Sequence, residues 1–276
     1  SWASDRPESI FAHDEFGAER QIQIPAERAL TVFVDKRELV TLMTLGAAPE
    51  LLVLGYLRNQ RLVERIDDID SITVDWSVNA AAVKTRAGIE RFDEKTAKRV
   101  VTTGCGQGTV FGELMGDLDS ISLPPASELS ARLSQAALYG LLDAVRLQES
   151  TYKSAGSVHG CALFRQSELL LFMEDVGRHN AIDTIAGWMW LNGVSGHDKI
   201  FYTTGRLTSE MVIKSAQMGV PIIVSRSGIT QMGHELAVRL GLALFGRATN
   251  RHFICYSGFG RFDAQPEPER PLPVRR

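Results

Sequence analysis

Leu169-Leu170-Leu171-Phe172-Met173-Glu174-Asp175-Val176-Gly177-Arg178-His179-Asn180-Ala181-Ile182-Asp183 changes character twice along its length. The apolar run from Leu169 to Met173 reads as a short, fully buried strand. Helical spacing then takes over, with Ile182, Ile185 and Met189 at intervals of three and four. Between the two lies a polar loop with Glu174, Asp175, Gly177, Arg178 and His179. Asn180 stands where a helix N-cap is expected, its side chain able to take an unpaired backbone N–H. A strand that ends in a charged loop opening a helix is where open α/β sheets hold their ligands.

The same pattern is written twice more. Lys199 to Thr203 reads as a strand, followed by Thr204-Gly205-Arg206-Leu207-Thr208-Ser209 and a helical run through Met211, Val212 and Met218. Pro221 to Val224 reads as another, followed by Ser225-Arg226-Ser227-Gly228-Ile229-Thr230 and a helix carrying Leu236 and Leu240. Each loop pairs an Arg and a Gly with hydroxyl or amide donors. Helix N-termini present free N–H groups, and Arg adds a forked donor suited to phosphate. Three such loops in succession point to a site for an anionic ligand.

The chain has 276 residues, enough for one large or two modest domains. With 44% hydrophobic and 23% charged residues its composition is that of an ordinary globular protein. A net charge of −3 argues against a broad nucleic-acid-binding surface. No apolar run approaches the roughly 20 residues of a membrane helix, and no signal peptide is visible. The three cysteines are widely and irregularly spaced, which fits a reducing compartment rather than a disulfide framework. The expected location is the cytoplasm.

Residues 1–24 are polar and without pattern, and are expected to form a frayed arm. Ala29 to Val34 and Glu38 to Met43 read as a hairpin across Asp35-Lys36-Arg37. Pro49 can open a helix through Leu51, Leu52, Leu54 and Leu57. Ile69, Ile72, Val74 and Trp76 then mark a strand-rich stretch, so residues 25–125 read as a small α+β domain. A long helix is expected from about Ser127 to Gln148, with Leu129, Leu133, Ala137, Leu141 and Val145 on one stripe. Strand–helix alternation from Val158 onward predicts an α/β domain over 126–262. Its parallel strands would be joined by right-handed crossovers, with helices on both faces. Strands near Leu242 to Phe245 and Phe253 to Tyr256 close it, and the Pro-rich tail 263–276 reads as disordered.

Of the cysteines, Cys161 and Cys255 lie in apolar strand-like runs and read as small buried hydrophobes. Cys105 sits in Thr102-Thr103-Gly104-Cys105-Gly106-Gln107-Gly108-Thr109, a glycine-rich run that leaves it without bulky neighbours. Lys98 and Arg99 are close in sequence. These residues leave Cys105 between a reactive thiol and a tolerated surface one. Zinc is disfavoured: the deaminase signature needs His-x-Glu and a later Pro-Cys-x-x-Cys, whereas His159 is followed by Gly160 and Cys161. No Gly-x-Ser-x-Gly elbow supports a serine hydrolase. Glu174 and Asp175 face opposite ways on a strand, and read as hydrogen-bond acceptors or dipole partners rather than an acid/base couple.

Glu174-Asp175-Val176-Gly177-Arg178-His179-Asn180-Ala181-Ile182-Asp183 and Gly205-Arg206-Leu207-Thr208-Ser209-Glu210-Met211-Val212-Ile213-Lys214 resemble the FdhD family, accessory sulfurtransferases of formate dehydrogenase. The likeness runs from the Ala29 hairpin to about Tyr256. Gly156-Ser157-Val158-His159 is similar to the family's Gly-Gly-Val-His, with one Gly replaced. The resemblance implies a cytidine-deaminase-like three-layer α/β/α domain without zinc, behind a smaller α+β domain. It implies a protein that takes persulfide sulfur from a cysteine desulfurase. That sulfur passes to the molybdenum or tungsten bis(molybdopterin guanine dinucleotide) cofactor of formate dehydrogenase, with GDP as a mimic of that ligand. Cys105 would carry the sulfur. Arg178, His179, Arg206, Ser209, His159 and the loop Arg247-Ala248-Thr249-Asn250-Arg251-His252 would hold the nucleotide ends. The partners implied are the desulfurase and the formate dehydrogenase catalytic subunit, and a homodimer is left open. The family's loop is usually Cys-Gly-x-Cys-Gly. Cys105 matches the first cysteine, while Gly108 replaces the second. A carrier needs one thiol, so the role survives, and a non-catalytic cofactor chaperone stands as the alternative.

Overall fold

The computed structural model describes residues 8–96, 118–148 and 156–265. Cys105 and its glycines, the sequence-predicted carrier loop, lie outside the described residues.

The expected frayed arm is, from residue 8, a hairpin. β1 (Glu8–His13) pairs antiparallel with β2 (Glu19–Ile24), and nearly every residue is exposed. Asp14 Oδ1 closes the turn by accepting from the N–H groups of Phe16 and Ala18, both at 3.0 Å. The strands bury no apolar face, so their periodicity carried no signal.

The first core follows. β3 (Arg28–Val34) and β4 (Arg37–Thr44) form the expected hairpin, with Asp35 and Lys36 both at positive φ in a two-residue turn. With β5 (Ile69–Asp75) and β6 (Ala80–Thr85) they make a sheet of order β4-β3-β6-β5, in which β3 and β6 run parallel. Leu30, Val32, Leu42, Ala81 and Val83 pack from it onto α1 (Pro49–Asn59), opened by Pro49. A short helix, α2 (Phe92–Thr96), adds Phe92 to this core.

The second core is built on a six-stranded sheet of order β13-β12-β11-β10-β8-β9. Its strands are β8 (His159–Arg165), β9 (Glu168–Asp175), β10 (Ile200–Thr203), β11 (Ile222–Ser225), β12 (Ala243–Thr249) and β13 (His252–Ser257). Only β10, β11 and β12 run parallel; β8, β9 and β13 are antiparallel to their neighbours. The expectation of a parallel sheet is corrected here. The tight turn at Gln166, with φ 50°, returns β9 directly beside β8 without a crossover helix. One face carries α4 (Arg178–Leu191), α5 (Ser209–Gln217) and α6 (Gln231–Leu240). The other carries α3 (Gln135–Leu147). The fold is thus mixed α/β with several sheets, and the larger sheet has helices on both faces.

Three further boundaries differ from the sequence reading. The helix expected from Ser127 begins at Gln135, because Ser134 Oγ accepts from Ala137 N and caps it there; Leu129 is exposed. The tail expected from residue 263 is ordered at its start. β14 (Phe262–Asp263) pairs with β7 (Leu133–Ser134), and Arg132 grips the Asp263 carboxylate. Finally, α4 starts at Arg178 with Gly177 before it and no side-chain cap, so Asn180 is not the cap.

α1 belongs to both cores: Leu52, Val53, Tyr56 and Leu57 face the first, and Leu51 the second. Its backbone crosses α4 so closely that a methyl group on Gly55 would overlap the Asp183 carbonyl, and one on Gly187 that of Leu51. Each glycine lets the partner helix approach.

Candidate functional site

The three Arg-bearing loops meet. Gly205 of the second lies against the first, since a Cβ there would stand 2.6 Å from Arg178 Cδ. The second and third are zipped together: Leu207 N donates to Gly228 O (2.9 Å), Thr230 N to Leu207 O (3.2 Å), and Ser225 Oγ to Gly205 O (2.6 Å). Ser227 Oγ donates to Thr204 O at 2.7 Å. Backbone groups that would otherwise need water are thereby satisfied, which fixes the loop shapes.

Two adjoining cavities of about 200 and 60 Å³ open beside these loops and share Val145, Tyr202 and Arg226. The larger is lined by His159, Thr204 and Glu174, the smaller by Ala248, Thr249 and Asn250. His159 Nδ1 sits 3.0 Å from Thr204 Oγ1, which also accepts from Gly160 N. Burial lowers the His159 pKa, aided by the positive charges of Arg178 and Arg206, so the ring is neutral at pH 7. Neutral donors and acceptors among cationic arginines suit an anion carrying polar groups.

Behind this groove the loop residues form a buried network. Lys214 Nζ pairs with Asp183 Oδ1 (3.1 Å) and donates to His179 Nδ1 (3.2 Å). The imidazole proton is therefore on Nε2, which lies 3.4 Å from Glu210 Oε2. Burial is the main cause holding the His179 pKa well below its usual value, followed by the charges of Lys214, Arg178 and His159. Burial likewise raises the Glu210 carboxyl. His179 is fully buried and unavailable to a ligand.

Much of the decisive stretch joins the two cores. Asp175 accepts from Thr44 Oγ1 (2.6 Å) and Leu45 N (3.0 Å), although burial still raises its pKa. Asn180 Nδ2 donates to Met43 O at 2.7 Å, and Asn59 Nδ2 to Asp183 Oδ1 at 2.8 Å. Asp175, as expected, is an acceptor. Glu174, its neighbour, lines the larger cavity.

The structure gathers some predicted site residues and separates others. His159 lies in the groove, with Arg178 and Arg206 close enough to depress its pKa. Ala248, Thr249 and Asn250 line the adjoining cavity. Arg178 is itself buried, while Arg206 is exposed. Arg247 points toward Gly228, its guanidinium 3.8 Å from where a Cβ would stand. Arg251 lies over the Tyr139 ring at 5.1 Å, and His252 is exposed at the start of β13. Ser209 is half-buried as the first residue of α5. Tyr202 was missed, and Arg226, read in the sequence as part of the third anion-suited loop, was not singled out as a ligand residue. Arg226 follows β11 where Thr204 follows β10, and Arg206 stands where the third loop has Gly228, so the two arginines hold different places in their loops.

Cys161 is fully buried; its pKa is pushed up to about 12, mainly by burial, and its Sγ lies 3.5 Å from Thr203 Oγ1. Burial also raises the half-buried Cys255, whose thiol donates to Ser257 O at 3.2 Å. Among the described residues no three His, Cys, Asp or Glu side chains group as a metal site. Nor is any described helix long and apolar enough to cross a membrane.

Comparison with known proteins gives a consistent answer. Residues 25–263 match the model of the FdhD/NarQ family. The Sulfur carrier protein FdhD of Listeria innocua serovar 6a is 30% identical over 250 residues, 90% of this chain and 95% of the relative. That of Bacillus subtilis strain 168 is 31% identical over 232 residues, 84% and 87% of the two chains. The crystal structure of a proposed formate dehydrogenase accessory protein from Desulfotalea psychrophila superposes with a TM-score of 0.72 at 24% identity, covering 93% of this chain and 98% of that one. From Pro25 to Asp263, hairpin arm aside, this chain belongs to the FdhD/NarQ family.

Proposed function

We propose that this chain is a cytoplasmic sulfur carrier for the maturation of formate dehydrogenase. It takes persulfide sulfur from a cysteine desulfurase onto Cys105 and passes it to the molybdenum or tungsten bis(molybdopterin guanine dinucleotide) cofactor. The family match from residue 25 to 263 carries this reading. The state of the other thiols supports the choice of Cys105. Sulfur transfer needs a thiolate. Cys161 and Cys255 have raised pKa values, which leaves Cys105 of the chain's three cysteines.

In the loading step the Cys105 thiolate attacks the outer sulfur of the donor's persulfide. A new S–S bond forms, the donor's S–S bond breaks, and the donor leaves as a thiolate. In the second step an electron pair of the acceptor attacks the outer sulfur, the new bond to sulfur forms as the S–S bond breaks, and Cys105 leaves as a thiolate. The acceptor is a substrate, and the groove's residues fit its nucleotide ends. Arg226 would pair with phosphate, Thr204 and Asn250 would donate or accept, and Tyr202 would supply an aromatic edge. The zinc-free, deaminase-like description of the second core belongs to this same reading. It is supported by His159 and Cys161 being engaged by Thr204 and Thr203.

Titration with GDP tests the acceptor half. Arg226→Ala should weaken binding by about 1.5–3 kcal/mol, the range for a hydrogen bond to a charged group. Arg251→Ala, removing a side chain stacked on Tyr139, should leave GDP affinity unchanged. Equal affinity in wild type and Arg226→Ala would remove the groove from the account. A second reading, a cofactor chaperone that transfers no sulfur, is favoured by Gly108 standing where the family has its second cysteine. Formate dehydrogenase activity in cells carrying Cys105→Ser separates the two: the carrier loses it, the chaperone keeps it.

A further inference from the structure

The β1–β2 hairpin precedes the family's residues 25–263 and forms a sheet of its own. Its pleat puts Glu8, Ile10 and Ala12 of β1 on one face, paired with Ile24, Ile22 and Arg20 of β2. Ile10 and Ile22 sit side by side at the centre of that face, 36% and 38% exposed. A lone two-stranded hairpin is marginal in water, whereas three or more strands sharing an apolar face are stable.

The backbone shows where further strands can join. Beside the turn, Asp14 N donates to Ala18 O at 3.1 Å. Bonded and non-bonded pairs alternate along an antiparallel ladder, so Ala12, Ile10 and Glu8 bond inward to β2. Ser9 and Phe11 therefore turn their N–H and C=O groups to the outer edge of β1. No described strand pairs with that edge.

The edge is complementary to itself. With a second copy antiparallel to it and Ile10 on the two-fold axis, Ser9 and Phe11 exchange backbone hydrogen bonds with Phe11 and Ser9 of the other copy. Ile22, Ile10 and the second copy's Ile10 and Ile22 then form one apolar row. In the row on each side, Glu8 stands opposite Ala12 of the other copy, with Arg20 of that copy just beyond. Ala12 is short enough for the two long side chains to meet over it, across two strand spacings or about 10 Å. Opposite charges meet twice, and like charges not at all. Centring on Phe11 would instead set Ile10 against Ala12 and break the apolar row. Pairing through β2 would put the bulkier Ile24 between Glu8 and Arg20, and only residues 25–27 separate β2 from the first core.

We propose that the β1–β2 hairpin is a self-association arm that joins a second copy of this chain, β1 edge to β1 edge, in a four-stranded antiparallel sheet. The contact is isologous and closed, so it makes pairs rather than filaments. It is also small, so the pair forms reversibly and depends on concentration. The carrier chemistry plays no part in it.

Sedimentation equilibrium of the full chain over a range of concentrations tests the arm. Ile10→Asp should halve the mass seen for wild type at high concentration, because it sets two carboxylates on the axis. Glu8→Arg should weaken association about tenfold, since two ion pairs become like-charge contacts. Glu8→Arg/Arg20→Glu should return it to within about twofold of wild type. Within one copy Glu8 and Arg20 lie at opposite ends of the hairpin, so that recovery arises between copies. Val78→Asp, exposed in the turn between β5 and β6, should change nothing. Circular dichroism and thermal melts verify that each variant is folded. Equal masses for wild type and Ile10→Asp overturn the proposal, as does a double variant that associates no better than Glu8→Arg.

Discussion

His179 stands in a ten-residue motif that reads like a ligand site, yet its ring is sealed between Lys214 and Glu210. Its folded pKa lies below the usual 6.5. The unfolded chain therefore binds the extra proton first as pH falls. The stability contributed by neutral His179 is present above about pH 6.5 and is lost as the solution is acidified toward the folded pKa. Asp175 and Glu210, raised by burial from 3.8 and 4.5, act in the opposite sense, because the folded chain takes up their protons before the unfolded one as pH falls. The expected outcome is a melting temperature that drops between pH 7 and 5.5 in wild type and drops less in His179→Gln. Gln can accept from Lys214 and donate to Glu210 without titrating. Equal pH slopes in the two chains would mean that His179 is not the titrating group. Breaking the buried pair itself, with Lys214→Met, should cost about 3–5 kcal/mol in denaturant unfolding, because Asp183 is left charged and buried. The sequence showed that these residues matter. Burial, which decides between ligand contact and strut, depends on α1 arriving from a distant part of the chain.

At the level of elements, apolar runs made strands legible: Ala29 to Val34 and Lys199 to Thr203 bury side chains in the cores. Leu169 to Met173, expected to be fully buried, is instead an edge strand with Leu169 to Phe172 half-buried. The loops were legible as well, because Arg, Gly and hydroxyl residues recur in each. Register and direction were not, since a tight turn at Gln166 and a crossover leave similar traces in composition. Neither was the crossing of α1 and α4. Gly55 reads as a helix-weakening residue in isolation, and only the nearby Asp183 carbonyl explains it. Gly187→Ala tests this contact. Ala favours a helix by roughly 1 kcal/mol over Gly, yet the added methyl must push Leu51 away. The net expected effect is a loss of about 1–3 kcal/mol or more in denaturant unfolding. A stabilised variant would show that the helices have room to spare.

Over the whole molecule, the β1–β2 hairpin stands apart, exposed along nearly all of its length, and the family match begins just after it. A chain starting at residue 25 should therefore melt within a few degrees of the full one, since the hairpin strands bury almost nothing. The two cores form a different kind of pair, held by Asp175, Asn180 and Asp183 at one helix end and by the glycine crossing along α1. Their joint purpose in this account is to keep a nucleotide groove and a sulfur-bearing cysteine in one protein. The measurement that tests this most directly is mass spectrometry of peptides after incubation with a cysteine desulfurase and cysteine. The account predicts one added sulfur on the Cys105 peptide alone, lost in Cys105→Ser and kept in Cys161→Ala. Added sulfur on Cys161 or Cys255, or none on Cys105, would contradict it.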